Sequence, residues 1–308
     1  MPQPFLKRLY IYQKERFPLL VHGLLIAAFS FSAIGYSGLC RGSHTFIPWS
    51  HFLACVYTNL SLFFLLRVSD EYKDSKDDQA YRQYLPVVRG LITLQELRNT
   101  SVLLFAVAVL INIIWFPALL PLLALALGYL LLMRYEFGIG TWLKRHMHWY
   151  MITHMVIIPL ADIYASSYDW KLNQLSPPKG LLFFFAVSFL NGMVLETGRK
   201  LRSPEREEPG VDSYTKLWGL KTAPVIWLGI ISLNLLLAFF AAAYGQAHIA
   251  VYYVMGSVFA LCIIPAILFI AKPAHHYGKA IEIASLLWAL TMYLALGGIP
   301  RLWSVITG

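Results

Sequence analysis

Residues 99–134 read NTSVLLFAVAVLINIIWFPALLPLLALALGYLLLMR, and the 34 positions 100–133 inside this stretch carry no charge. A bilayer core of about 30 Å is spanned by about 20 apolar helical residues. The stretch is therefore too long for one ordinary span. Asn112 and the Trp115-Phe116-Pro117 sequence predict a break, because a proline ring cannot continue the preceding helix. Two short helices, 100–116 and 118–133, joined by a tight turn are the expectation. The backbone of such a turn reaches polar partners only at the membrane surface.

Working outward, the same reading gives further spans at 17–40, 45–66, 149–168, 180–197, 223–246, 248–271 and 281–299. The fold class expected is all-α: a multi-pass membrane bundle of nine transmembrane helices, forming a single integral-membrane domain over residues 1–308. Composition agrees. Of the 308 residues, 58% are hydrophobic and 13% charged, against about a quarter charged in soluble domains. That excludes a soluble enzyme or a disordered tail. Cys40, Cys55 and Cys262 are odd in number and sit in apolar stretches, so they supply neither a disulfide framework nor a metal knuckle. The start, MPQPFLKRLYIYQKERFP, is basic and aromatic without a cleavable signal pattern, so the first apolar run reads as a retained membrane helix.

Charge sets the orientation. With the N-terminus cytoplasmic, 21 of the 25 Lys and Arg residues fall on the inner side and only Arg41, Lys171, Lys179 and Arg301 on the outer. This is a strong positive-inside bias, and it scrambles if one helix in the middle is added or lost. It also accounts for the net charge of +9 through membrane topology, with no nucleic-acid partner. The cytoplasmic cap is expected from segments 67–98, 134–148 and 198–222. The first and last of these segments each follow a long apolar helix and mix acids with bases, a hint of internal duplication.

Ten of the sixteen carboxylates lie in the first and last cap segments. Glu71, Asp74 and Asp78 are spaced three and four apart, which on a continuous helix puts them on one face. Like charges so placed repel unless a cation sits among them. Mg²⁺ suits such oxygen clusters, usually through one or two carboxylates plus substrate phosphates. Lys73 and Lys76 are interleaved, so the run reads equally as a solvated loop of mixed charge. Glu196 falls at the inner end of a span, with Arg199, Lys200 and Arg202 beyond it. These cations could clamp a diphosphate or simply anchor the topology. Lys144 and Arg145 follow the fourth span, with His146, His148 and His154 after them. Asp162 lies within the fifth span, where an acid marks either function or a buried polar contact to Tyr164, Ser166 or a neighbouring helix.

At these residues the sequence resembles the UbiA superfamily of intramembrane prenyltransferases. Asp70-Glu71-Tyr72-Lys73-Asp74-Ser75-Lys76-Asp77-Asp78 aligns with the family's N-D-x-x-D-x-x-x-D motif, with Asp70 in place of Asn and Glu71 in place of the first Asp. Pro86, Gly90, Ile92 and Thr93 follow at the family's offsets. Leu85 stands where the family has Arg, and Arg89 lies one turn on. Lys144-Arg145 matches a Lys-Arg pair after helix four, although Gly140 replaces a Tyr. In the second motif Glu196 corresponds to the first Asp, Lys200 occupies the place of the second, and Gly210 and Gly219 keep a spacing of nine, with Ser213 at the Ser/Thr position. Glu205, Glu207 and Glu208 are alternative acids there.

The resemblance implies a bundle of nine helices and Mg²⁺-dependent ionisation of an isoprenoid diphosphate at the cytoplasmic cap. The implied metal ligands are Glu71, Asp74, Asp78 and Glu196. The implied diphosphate contacts are Asp70, Arg89, Lys144, Arg145, Arg199 and Lys200, with catalysis resting on Asp74, Asp78, Glu196 and Lys144. The partners are the isoprenoid diphosphate, an aromatic or other lipophilic acceptor, and membrane lipid. The aromatic content of 15% offers Trp149, Tyr150, Phe183, Phe184, Phe185 and Trp288 as faces that could shield an allylic cation. Two other readings stay open. One is an intramembrane terpene cyclase, in which the cation is attacked by its own double bonds. The other is a transporter or lipid-binding protein that uses the acids for headgroup recognition, although transporter sites usually lie near the midplane.

Overall fold

The computed structural model describes residues 3–43 and 45–307. Among them the regular structure is helical. A short helix α1 (Phe5–Arg16) precedes α2 (Leu19–Leu39) and α3 (Trp49–Lys73). Pro18 and Pro48 stand at the N-caps of α2 and α3, where a missing N–H costs nothing. The polar helix α4 (Ser75–Tyr81) then leads to α5 (Leu94–Trp115). Helix α5 starts on a capping box, in which Thr93 accepts from the Glu96 backbone and the Glu96 side chain accepts from Thr93, satisfying two donors that would otherwise be orphaned.

The break expected near Pro117 is present. Helix α5 ends at Trp115, a single 3₁₀ turn covers Pro117–Leu119, and α6 (Leu120–Arg134) returns. Asn112, fully buried, donates to the Ala108 carbonyl of its own helix and to Thr58 of α3, and accepts from Tyr164.

Eight segments among the described residues are continuous helix long and apolar enough to cross a membrane. The expected span 149–168 is not one of them. It consists of α8 (Met147–Met155) and α9 (Ile157–Trp170), preceded by the short α7 (Gly140–Arg145). The cause is Pro159, which has no N–H to give the Met155 carbonyl. Val156 keeps helical dihedrals (φ −62°, ψ −23°), so the segment bends and continues, and the count of nine holds only if this broken helix is included. Beyond it come α10 (Leu181–Arg199), α11 (Tyr214–Trp218), α12 (Thr222–Tyr244), α13 (Ile249–Ala271) and α14 (His275–Tyr293). The last span begins at His275 rather than near 281. It runs through a π-turn at Leu294–Gly298 into α15 (Ile299–Thr307). The protein is an integral multi-pass membrane protein, with large apolar side chains such as Leu103, Leu182 and Leu261 left exposed on the outside of the bundle.

Glycine sets the closest helix approaches. A Cβ on Gly198 of α10 would collide with Ser285 of α14, and one on Gly297 with the backbone of Ser32 in α2. The first of these brings the cap end of α10 against α14 and α12, where Trp227 Nε1 donates to the Val194 carbonyl and to Ser285 Oγ. At the opposite end Arg41 pairs with Asp169, and Arg301 donates to the Ser43 carbonyl. Asp162 is fully buried; it accepts from Ser188 of α10, which also meets Tyr293 Oη at 2.6 Å. Its partner therefore comes from a neighbouring helix.

Candidate active site

The acidic run does not lie on one helix face. Helix α3 extends to Lys73, seven residues beyond the expected span end, and Asp74 (φ −88°, ψ 0°) is the joint at which α4 begins. The joint sorts the acids. Glu71 turns toward α1 and is 2% exposed. Its Oε1 accepts from Arg16 Nε at 2.8 Å, Arg67 Nη2 at 2.6 Å and Tyr12 Oη at 3.3 Å. All three bonds fall on Oε1, so Glu71 ties α1 to α3, and with Asp78 it borders a separate, smaller cavity rather than the one that Asp74 lines.

Asp74 and Asp78 do face one cavity of about 820 Å³ at the cap end, together with Asp77. Asp78 is 2% exposed and accepts from Arg82 at 2.9 Å. Asp70 pairs with Lys73 at 3.4 Å. Burial holds the Asp74 carboxyl above the ordinary aspartate range; Lys73 opposes this, and the negative charges of Asp70 and Asp78 add to it. That crowding of like charge is the condition a divalent cation relieves. Among the described residues no three acid, His or Cys side chains are gathered closely enough to enclose a metal. Two carboxylates with substrate phosphates completing the shell is an arrangement Mg²⁺ accepts, and Asp74 with Asp78 fits it.

The second cap segment faces the first across the cavity. Arg199, Lys200, Arg202, Glu208 and Asp212 line it. Glu196 Oε2 takes Arg199 at 2.6 Å, and its Oε1 takes Lys200 at 2.8 Å. The pairing of Glu196 with Lys200 follows from their spacing of four. Arg199, three residues on, shares that face as well, and with both oxygens engaged Glu196 orients two cations rather than offering a free ligand face. Of the loop acids, Glu207 is turned inward to accept from Ser213 at 2.6 Å and Thr215 at 3.0 Å. Glu208 pairs with Arg202 at 3.4 Å, and Glu205 is exposed. Gly210 has φ +69°, and a Cβ there would fall on the Tyr81 ring. Only glycine lets this loop close on α4.

From the third segment Lys144 lines the cavity and lies 3.7 Å from Asp77, while Arg145 is exposed and outside it. Arg89 is outside as well; it clasps Glu15 of α1 at 2.7 and 3.0 Å and the Tyr84 carbonyl at 2.7 Å. The three histidines do not converge: His146, just past the end of α7, and His154 of α8 each engage the carbonyl four residues back. Of the six aromatics singled out, only Tyr150 is on the cavity wall; Phe184 and Trp288 are packed in the core, and Trp149 is exposed.

Sequence reading missed Lys73. Its side chain is 11% exposed, donates to Tyr150 Oη at 2.5 Å and lies over the same ring at 5.1 Å. The signal was its place three residues after Asp70, on the same helical face. Asp77, Arg82 and Asp212 on the cavity were passed over too. In sum, acids from α3–α4 confront cations from α7 and α10 across a polar cavity, with apolar helices beneath.

The comparisons with known proteins agree with this architecture. The structure is similar over 96% of its length to a digeranylgeranylglyceryl phosphate synthase structure, 99% of which is matched (TM-score 0.60, 14% identity). It is similar over 86% of its length to the apo structure of a UbiA homolog from Aeropyrum pernix K1, 96% of which is matched (TM-score 0.60, 16% identity). No curated protein matches in sequence. The model of the UbiA prenyltransferase family matches residues 28–291, and the chain belongs to that family of intramembrane prenyltransferases.

Proposed function

We propose that the protein ionises an isoprenoid diphosphate at the cytoplasmic face of the membrane and transfers the prenyl group to a lipophilic acceptor. One observation carries this reading: Asp74 and Asp78 share a cavity with Lys144, Arg199 and Lys200, drawn from three separate cap segments. Mg²⁺ held by Asp74 and Asp78 would neutralise charge on the departing diphosphate. The chain's own part begins with Lys144, Arg199 and Lys200, which donate to phosphate oxygens as negative charge grows on them. Glu196 keeps Arg199 and Lys200 aimed and partly neutralised before substrate arrives. Tyr150 stands at the cavity wall, where its hydroxyl accepts from Lys73 and its ring takes that same cation. The apolar bundle beneath excludes the water that would quench an allylic cation. Asp70 serves indirectly, by holding Lys73.

The reading is tested by giving purified protein and Mg²⁺ a set of allylic diphosphates of different chain length, with and without aromatic or other lipophilic acceptors. Prenylated acceptor together with released diphosphate is the expected outcome. A cyclic hydrocarbon formed without acceptor makes the protein a terpene cyclase. Tight binding with no turnover makes it a carrier.

A further inference from the structure

Helix α1 has two unlike faces. Every charge on its inner face is matched: Arg8 with Glu96 at 2.6 Å, Arg16 with Glu71 at 2.8 Å and Glu15 with Arg89 at 2.7 Å. Tyr12 is fully buried, and Leu9 packs beside it against Phe64, Val68 and Leu97. The outer face is bare. Leu6 is 75% and Tyr10 57% exposed, one turn apart on one side of the helix. Lys14, a further turn on, lies over the Tyr10 ring at 5.5 Å, and Lys7 is exposed beside them. The ion pairs of α1 take in Arg8, Glu15 and Arg16; among the described residues Lys7 and Lys14 have none.

Place and charge together identify what covers this face. Span α2 opens at Leu19, three residues after α1 ends, and Leu19, Leu20, Val21 and Leu24 are exposed on its lipid-facing side. Three residues reach at most about 11 Å, so α1 ends at the level of the headgroups. Its two ends are pinned at that level: Arg16 to Glu71 in the last turn of α3, and Arg8 to Glu96 in the first turn of α5. Helix α1 therefore lies across the cap-side ends of two spans, along the membrane surface. Exposed apolar side chains flanked by unpaired lysines are the pattern of a helix that seats its apolar side at the acyl boundary and its basic side among headgroups. We propose that the outer face of α1 is a docking surface for anionic phospholipid of the leaflet on the cap side. Leu6 and Tyr10 enter the interface, and Lys7 and Lys14 take the headgroup phosphates. The other side of the same helix walls the cavity through Glu15 and Arg16, so the lipid layer and the cavity meet across one helix. This surface is independent of the reaction proposed above.

The test uses the full protein with an environment-sensitive dye on Leu6→Cys, reconstituted in vesicles of phosphatidylcholine with a minority of phosphatidylglycerol. Bromine, which quenches the dye on contact, is carried on the acyl chains of one lipid and then of the other. Protein labelled without Leu6→Cys supplies the background from Cys40, Cys55 and Cys262. Both lipids are expected to quench the dye, with phosphatidylglycerol enriched there about fivefold or more over its share of the bilayer, since one lysine near an anionic surface favours it by about fivefold. Lys7→Gln with Lys14→Gln is expected to bring the enrichment down to the bulk share while quenching persists, and added salt to weaken it in the parent. All three substituted side chains are exposed, and circular dichroism reports that the helices are kept. No quenching by either lipid overturns the proposal, because α1 then stands clear of the bilayer and its bare face belongs to a protein partner or a second copy. Quenching in proportion to bulk composition, or an enrichment that survives the double substitution, overturns it as well.

Discussion

Asp74 and Glu71 are three residues apart and do opposite work. Asp74 and Asp78 face the cavity, so Asp74→Asn or Asp78→Ala is expected to abolish Mg²⁺-dependent turnover while leaving a monodisperse, folded protein. Near-wild-type activity in either variant contradicts the metal assignment. Glu71 is enclosed by Arg16, Arg67 and Tyr12. Breaking a fully buried pair costs about 3–5 kcal/mol, and the two arginines remain about a fifth exposed, so Glu71→Gln is expected to cost about 1–3 kcal/mol after screening. Thermal unfolding in detergent should show the loss, while the folded fraction keeps its Mg²⁺ affinity. A Glu71→Gln protein that is fully stable but has lost metal binding reverses the assignment. The sequence supplied the type and order of these acids. It could not supply the joint at Asp74, because helix propensity runs on through the motif and the bend is fixed by what α1 and the second cap loop offer on either side.

At the level of elements, the site depends on α4 and the 198–222 segment meeting. Gly210 permits the contact through a left-handed backbone with the Tyr81 ring against it. A side chain there carries a backbone penalty of about 1–2 kcal/mol and a clash besides. Gly210→Ala should therefore weaken diphosphate affinity by at least about tenfold with the helices intact, as read by binding of inorganic diphosphate and by circular dichroism. Unchanged affinity would mean the loop closes without that contact. The break at Pro117 was legible because proline states its own constraint. The break at Val156 was passed over because hydropathy alone marks 149–168 as one span, although Pro159 was in plain view. Helix α1 was not anticipated either: it is short and polar, and its place comes from Arg8 on Glu96 and from Arg16 on Glu71, contacts made across about 55–90 residues of chain, which local pattern cannot reveal.

Taken whole, the molecule separates a polar, charged cap from an apolar bundle. Of the basic residues expected on one side, Lys144, Arg199, Lys200, Arg202 and Arg206 border the same cavity, whereas Arg89 and Arg145 lie outside it. A cysteine placed at exposed Lys76 or Glu205 should react with impermeant maleimide only in inside-out vesicles, and one at Lys171 only in right-side-out vesicles. The reverse pattern inverts the topology. The central claim is that this cap binds a diphosphate through Lys200 and Arg199 on one side and through Asp74 and Asp78, by way of Mg²⁺, on the other. A structure of the protein with Mg²⁺ and a non-hydrolysable prenyl diphosphate analogue tests it directly. The account predicts Lys200 Nζ within hydrogen-bonding distance of a phosphate oxygen, with Asp74 and Asp78 on the metal. Lys200 facing solvent while Glu205, Glu207 or Glu208 holds the metal, or a diphosphate bound outside this cavity, would contradict it.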